Sequence, residues 1–295
     1  MQRFLSDRRA IWVMLGPALV VYTLVLLVPI LWSVAYAFFS GSPVTGFKFV
    51  GVHNFVELVH DPSFIQALEV SVKYALAVTT GQVVLGLLLA MLFHFYLKRA
   101  SGLVRTIVFF PVVLPTVAVA QLFVKLFQEA PQNGLVNSGL QALGLVNWER
   151  DWLAGPTAAF WILVGMDIWR AMGFYAVLLY AGLVDIPVEI FESARLDGAR
   201  GWRLARYVVL PLMTPILVSA TIFSLNGTLK VFDSVLALTQ GGPGFATTPL
   251  TLYMYNTAFT YGDYGYGSTI AMALTVLCLV ATVTIFRTAR RDVTA

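Results

Sequence analysis

Long apolar runs separated by short polar stretches dominate the chain. Residues 11–39 are almost wholly apolar. Further runs cover residues 74–97, 107–127, 157–183, 208–238 and 268–286. Each is close to or beyond the roughly 20 residues that a helix needs to cross a bilayer core. The pattern predicts an all-α membrane protein with six transmembrane helices. A signal peptide is the competing reading of the first run. Ala35-Tyr36-Ala37 has the small residues of a cleavage site, and Arg8-Arg9 looks like a twin-arginine start. The run far exceeds the about 7–15 residues of a signal core, so we read it as a retained span. Pro111 and Pro115 interrupt the third run, a break that neighbouring helices can satisfy within a membrane.

The connections differ in kind. Residues 40–61 are polar and broken by Gly41, Pro43, Gly46 and Gly51, which predicts a loop. Residues 62–73 read as an amphipathic approach to the second span. Residues 129–156 form a second loop, whose Trp148 and Trp152 suit a membrane–water boundary. Residues 239–244, Thr-Gln-Gly-Gly-Pro-Gly, predict a turn. Residues 250–260 predict a short interfacial helix, followed by an aromatic and glycine-rich bend at 261–267. The most charged connection is 189–215. Pro187 suits a first helical position, and Glu189 and Glu192 suit the positive end of a helix dipole. Gly198 and Gly201 allow a turn between two short helices.

Composition agrees with a membrane chain. Of its 295 residues, 59% are hydrophobic and 12% charged, with a mean hydropathy of +0.81. A soluble domain carries about 25% charged residues. The single cysteine, Cys278, lies in an apolar run and has no internal partner. The formal charge of +4 is not a nucleic-acid signal, because its distribution follows the membrane instead. With the N-terminus inside, the inner segments hold Arg3, Arg8, Arg9, Lys98, Arg99, Arg105, Arg195, Arg200, Arg203, Arg206, Arg287, Arg290 and Arg291. The outer ones hold Lys48, Lys73 and Arg150. The positive-inside rule then places both termini in the cytoplasm. The predicted organisation is an N-terminal tail (1–10), a first span with its external loop (11–69), a five-span core (70–286) containing the charged connection (187–211), and a C-terminal tail (287–295).

Several polar groups fall inside the apolar runs. Asp167, Trp169, Arg170 and Tyr175 lie in the fourth, Asn226, Thr228, Lys230 and Asp233 in the fifth, and Gln82 in the second. Lys125 sits at the end of the third, four residues before Glu129. A buried membrane charge costs at least about 2.5 kcal/mol, so such groups face a cavity or a partner. One reading is a polar path for a solute, with Arg170, Lys230 and Asn226 as donors and Tyr175 and Trp169 stacking on it. The other is pairing along one helix face, Asp167 with Arg170 and Lys230 with Asp233. His53 and His60 lack ligand-spaced partners, and no metal site is expected. The chain has no phosphate-binding glycine loop, no His-Glu-x-x-His and no Gly-x-Ser-x-Gly. No catalytic residues emerge.

The order of residues in the charged connection is more specific. Glu192-Ser193-Ala194, Asp197-Gly198-Ala199 and Leu210-Pro211 resemble the "EAA" motif of ABC importer permeases. Ser193 replaces the first alanine. The run 49–55 resembles that family's first external loop, and Gly241-Gly242-Pro243 the loop common in sugar-type permeases. Nearly the whole chain is similar to permeases of the carbohydrate type, as in maltose and glycerol-3-phosphate systems. It lacks the large external insertion of the maltose subunit.

The resemblance implies the type I ABC importer permease fold in a bacterial or archaeal inner membrane. It implies a second permease, usually a homologue, and a dimer of ATP-binding subunits that carries ATP and Mg. An extracytoplasmic solute-binding protein completes the set, and this chain binds no cofactor. The cytoplasmic loop would dock on the ATPase through Glu192, Ser193, Ala194, Asp197, Gly198 and Pro211, and transport would proceed by alternating access. An ion-coupled secondary transporter, with Asp167 or Asp233 as coupling carboxylate, is the alternative. A membrane-embedded enzyme is a third reading.

Overall fold

The structure is a computed structural model that describes residues 8–97, 100–129 and 134–293, with the side chains of 8–10 and 289–293 left aside. Most of the expected N-terminal tail, and Lys98 and Arg99 at the expected end of the second span, lie outside the described residues. So do residues 130–133 of the second loop.

Helix α1 (Ile11–Tyr36) takes one wide turn at Thr23–Leu27. Strands β1 (Phe39–Ser42) and β2 (Gly46–Phe49) pair antiparallel, with Phe39 opposite Phe49. Helix α2 (His53–His60) precedes α3 (Pro62–Phe95). Helices α4 (Ser101–Val113) and α5 (Thr116–Leu126) follow, then the short α6 (Leu135–Ala142) and the long α7 (Pro156–Val184). Helix α8 (Val188–Leu196) leads into α9 (Trp202–Leu229). Helices α10 (Asp233–Leu238), α11 (Leu250–Tyr255) and α12 (Tyr264–Val293) complete the chain.

Among the described residues, five helices are long and apolar enough to cross a membrane: α1, α3, α7, α9 and α12. Helices α4 and α5 together make a sixth, broken by a bend of 95°. Pro115 forces Leu114 into an extended conformation (φ −70°, ψ 139°), which ends α4 one residue earlier. Pro111 stays inside α4. Only Pro115 therefore breaks the third span.

Other expectations need correction. The 40–61 loop contains a hairpin and a helix, because Gly41 and Gly46 adopt the positive φ that the hairpin demands. Residues 62–73 are not a separate approach but the first three turns of α3. The fifth span starts at Trp202, not at residue 208, and ends at Leu229 rather than 238. Helix α12 runs from Tyr264 through Val293, so the expected bend at 261–267 shrinks and the C-terminal tail is largely helical.

Two compact units are present. In the first, Met1–Phe64 with Met254–Ala273, buried Asn54 donates to the carbonyls of Ala37 and Phe39, both at 2.9 Å. Tyr266 donates to Asp61 at 2.7 Å. Helix α1 buries none of its apolar span, as suits a rod surrounded by hydrocarbon.

The second unit, Ile65–Tyr253 with Leu274–Ala295, has two apolar clusters that meet on α7. One joins Leu163 and Met166 of α7 to Tyr74 and Val78 of α3, Val119 of α5 and Val235 of α10. The other joins Tyr175, Leu179 and Leu183 to Ala90, Phe191, Leu204 and Met213. Close helix approach depends on small residues. At Gly173 a side chain would overlap the Val108 carbonyl of α4.

Gly173→Leu is expected to lose a monodisperse peak in detergent size-exclusion chromatography, since overpacking costs about 1–3 kcal/mol or more. Gly102→Ala, at an open exposed position, should behave as wild type. An unchanged profile for Gly173→Leu would contradict the close packing of α4 on α7.

Candidate functional site

A cavity of about 230 Å³ opens between α3, α7 and the end of α9. Its lining follows helical spacing. Tyr74, Val78 and Gln82 come from α3 at steps of four. Asp167, Arg170, Ala171 and Tyr175 share one face of α7, and Ser224, Gly227 and Thr228 one face of α9. Lys230 and Asp233 complete it beyond α9.

Asp167 is its hub. The carboxylate is nearly fully buried, with the side chain 4% exposed. Its Oδ1 accepts from Arg170 Nε at 3.2 Å and from Ser234 Oγ at 2.9 Å. Its Oδ2 accepts from the Tyr74 hydroxyl. Three donors from α3, α7 and α10 thus replace the water that a buried carboxylate loses. The Asp167 backbone carbonyl accepts from Gln82 Nε2 at 3.1 Å, and Gln82 Oε1 accepts from Ser224 Oγ at 2.7 Å. Thr79 closes the chain, with its hydroxyl 3.2 Å from Ser224 Oγ and 3.1 Å from Thr228 Oγ1.

The end of α9 explains Lys230 and Asp233. The chain leaves the helix at Lys230, passes through Val231 and Phe232, and re-enters it at Asp233. Lys230 therefore sits at the negative end of one helix and Asp233 at the positive end of the next. Both side chains are exposed, and among the described residues they form no ion pair. The expected Lys230–Asp233 pair is corrected accordingly: an unbroken fifth helix would have stacked them, but the joint separates them. The expected Asp167–Arg170 pair does form.

Two more expected path residues lie elsewhere. Trp169 packs on Phe123 at 5.9 Å and does not line the cavity. Asn226 Nδ2 donates to Ile222 and, at 2.9 Å, to Thr282 of α12, so its amide serves helix packing. Lys125 donates to Gln128 rather than to Glu129. Sequence reading missed Tyr74, Ser224 and Ser234 as cavity residues. The steps of four from Tyr74 through Val78 to Gln82, and from Ser224 to Thr228, were the available signal.

The charged connection is a helix with a capped end. Pro187 is the residue before α8, not its first. Glu192, Ser193, Asp197 and Gly198 are exposed, and Ala194 is half-buried. The Ala199 N–H donates to Ala194 at 2.9 Å and the Gly198 N–H to Arg195 at 3.1 Å. This paired cap needs a left-handed residue, and Gly198 supplies it with φ +84°. Phe191, beneath the helix, is buried against Phe95 and His94, at 5.6 and 5.5 Å between ring centres. Just beyond, α9 takes a wide turn at Ala205–Val209, and exposed Pro211 follows it.

Among the described residues, five apolar helices of membrane length with one bent pair, and a polar cavity within the second unit, define a membrane-embedded component. Residues 82–290 match the family of binding-protein-dependent transport system inner membrane components, and the chain belongs to it. It is 36% identical over 270 residues to the probable ABC transporter permease protein YurN of Bacillus subtilis, covering 91% of each chain. It is 32% identical to the lactose transport system permease protein LacF of Rhizobium radiobacter, covering 95% of this chain and 93% of that one. The trehalose/maltose permease MalF of Thermococcus litoralis is 34% identical, over 82% of this chain and 80% of its own. A bacterial ABC transporter involved in import of the acidic polysaccharide alginate shares the fold, with a TM-score of 0.83, 24% identity and 95% of both chains covered. The fold is the type I ABC importer permease fold, and the chain is a multi-pass inner-membrane subunit of a binding-protein-dependent importer. That membership displaces the secondary-transporter and enzyme readings.

Asp167→Ala is expected to cost about 3–5 kcal/mol, because it strands Arg170 and two hydroxyls. Tyr74→Phe removes one interhelical bond, worth about 0.6 kcal/mol and at most about 1.7. Thermal unfolding in detergent should rank them in that order. Equal shifts would mean that Asp167 is not the hub.

Proposed function

We propose that this chain forms one half of the pathway of an ATP-driven importer for an uncharged carbohydrate, and that the solute passes through the cavity bounded by Arg170, Tyr175, Thr228 and Lys230. The observation that carries this reading is the charge balance of the lining. Two cations, Arg170 and Lys230, face two carboxylates, Asp167 and Asp233. Hydroxyl and amide groups of Tyr74, Gln82, Ser224, Thr228 and Ser234 fill much of the rest. Such a surface exchanges hydrogen bonds with a polyhydroxyl solute. It has no excess positive charge to compensate a phosphate or a uronate. Tyr175, buried at the cavity wall, has a ring of the kind that stacks on a sugar once a solute reaches it. The names of the lactose and trehalose/maltose relatives point the same way.

The coupling reading rests on α8. Its exposed Glu192 and Asp197 offer polar contacts to an ATPase subunit, and its capped end makes a rigid knob. Phe191 ties that knob to the end of α3, and the same apolar cluster reaches α7. Both helices also carry the cavity, so a displacement of α8 can reach Tyr74, Gln82, Asp167 and Arg170 through packed side chains. Alternating access is then a change in how α3, α7 and α10 meet at Asp167. The assembly would comprise two permeases, this chain and a homologue, with two ATPase subunits holding ATP and Mg and an extracytoplasmic binding protein. Both termini would face the cytoplasm of a bacterial or archaeal cell.

In proteoliposomes containing the assembled complex and its binding protein, ATP should drive uptake of a neutral sugar such as maltose or lactose and not of glycerol 3-phosphate. Uptake of the phosphate alone would defeat the charge-balance reading. Gly198→Val places a branched side chain at positive φ, a strain of about 1–2 kcal/mol or more. It should reduce ATP-driven uptake to background while membrane insertion is retained. Glu192→Ala should weaken co-purification of the ATPase subunit. Normal uptake and capture in both variants would sink the coupling assignment.

A further inference from the structure

We propose that a groove beside the α8–α9 turn is a binding site for one anionic phospholipid, in the leaflet on the α8 side of the membrane. The groove has a volume of about 500 Å³. Its floor is the last turns of α3, where Met91, Leu92 and Phe95 present an apolar surface. Its rim carries Arg195, at the end of α8, and Arg200, in the turn. Both guanidinium groups are exposed, and neither has an ion-pair partner among the described residues. Two other cations nearby are engaged: Arg105 lies 4.4 Å over the Tyr180 ring and Arg206 6.0 Å over Tyr207.

The occupant follows from this pairing of chemistries. An acyl chain matches the floor, and a phosphodiester matches two planar guanidinium groups with fixed donors. The depth agrees. Trp202 and Tyr96, at the groove mouth, are 69% and 74% exposed. They stand at the ends of two membrane-length helices, where amphipathic rings settle between hydrocarbon and headgroups. Leu88 and Leu92, both in the groove lining, are exposed apolar residues of α3. A lipid held there bridges α3 to the turn that follows α8. The headgroup would neutralise two like charges, Arg195 and Arg200, and brace that turn against the span.

Native mass spectrometry of the assembled complex, in detergent with equal palmitoyl-oleoyl phosphatidylglycerol and phosphatidylcholine, tests this. Wild type should retain phosphatidylglycerol in preference to phosphatidylcholine. Arg195→Ala with Arg200→Ala should lower that retention by about tenfold or more, given the usual contribution of each cation near a membrane surface. Arg203→Ala with Arg206→Ala removes equal charge outside the groove and should leave retention unchanged. Leu92→Trp fills the floor while keeping both arginines, and should also expel the lipid. Unchanged retention in the Arg195/Arg200 variant, or in Leu92→Trp, overturns the proposal. So does loss of the ATPase subunit from the Arg195/Arg200 variant with retention intact, which would assign the groove to that subunit.

Discussion

A carboxylate inside a membrane must be answered by donors, and Asp167 is answered by three. Arg170 lies one turn along the same helix, Tyr74 on α3 and Ser234 on α10. No single helix can bring those three groups to one carboxylate. Satisfying Asp167 therefore fixes how three segments meet. It also requires the joint after Leu229, because Ser234 reaches the carboxylate from a helix that has broken away from α9. The same break releases Lys230 and Asp233 from each other and gives each to the cavity. One electrostatic requirement thus shapes the lining, its charge balance and the end of the fifth span.

Helix α7 carries this requirement to the rest of the second unit. Its Leu163–Met166 stretch packs against α3, α5 and α10, and its later turns pack against α8 and α9. Gly173 lets α4 approach to backbone contact. A helix packed on so many sides transmits a shift rather than absorbing it, since close-packed cores have few intermediate arrangements. Phe191 places the exposed helix α8 at one end of that chain of contacts, and Asp167 lies at the other. This is the physical basis on which the coupling reading of the charged connection stands.

Much of the architecture was legible in the sequence because membrane insertion is governed by composition along a segment. Six apolar runs correspond, among the described residues, to five membrane-length helices and one bent pair, and glycines at 198 and 201 mark a turn that does form. The Asp167–Arg170 pair follows from a three-residue spacing within one helix. The order Glu192-Ser193-Ala194 to Pro211 pointed to the family through likeness rather than through physics. What failed were inferences that assumed an unbroken helix or a side chain's direction. Lys230 and Asp233 share a face only if α9 continues, and Asn226 and Trp169 are as polar or aromatic as residues that do reach the cavity.

The sequence by itself determined the number of candidate spans, the charged connection between them and the Asp167–Arg170 pair, because those depend on segment hydropathy and on spacing within one unbroken helix. Tertiary structure alone decided which polar groups of different helices meet. Tyr74, Asp167 and Ser234 are separated by 93 and 67 positions, and no periodicity relates them. They converge because the membrane penalises each buried polar group that lacks a partner, and only a particular packing of α3, α7 and α10 supplies all the partners at once.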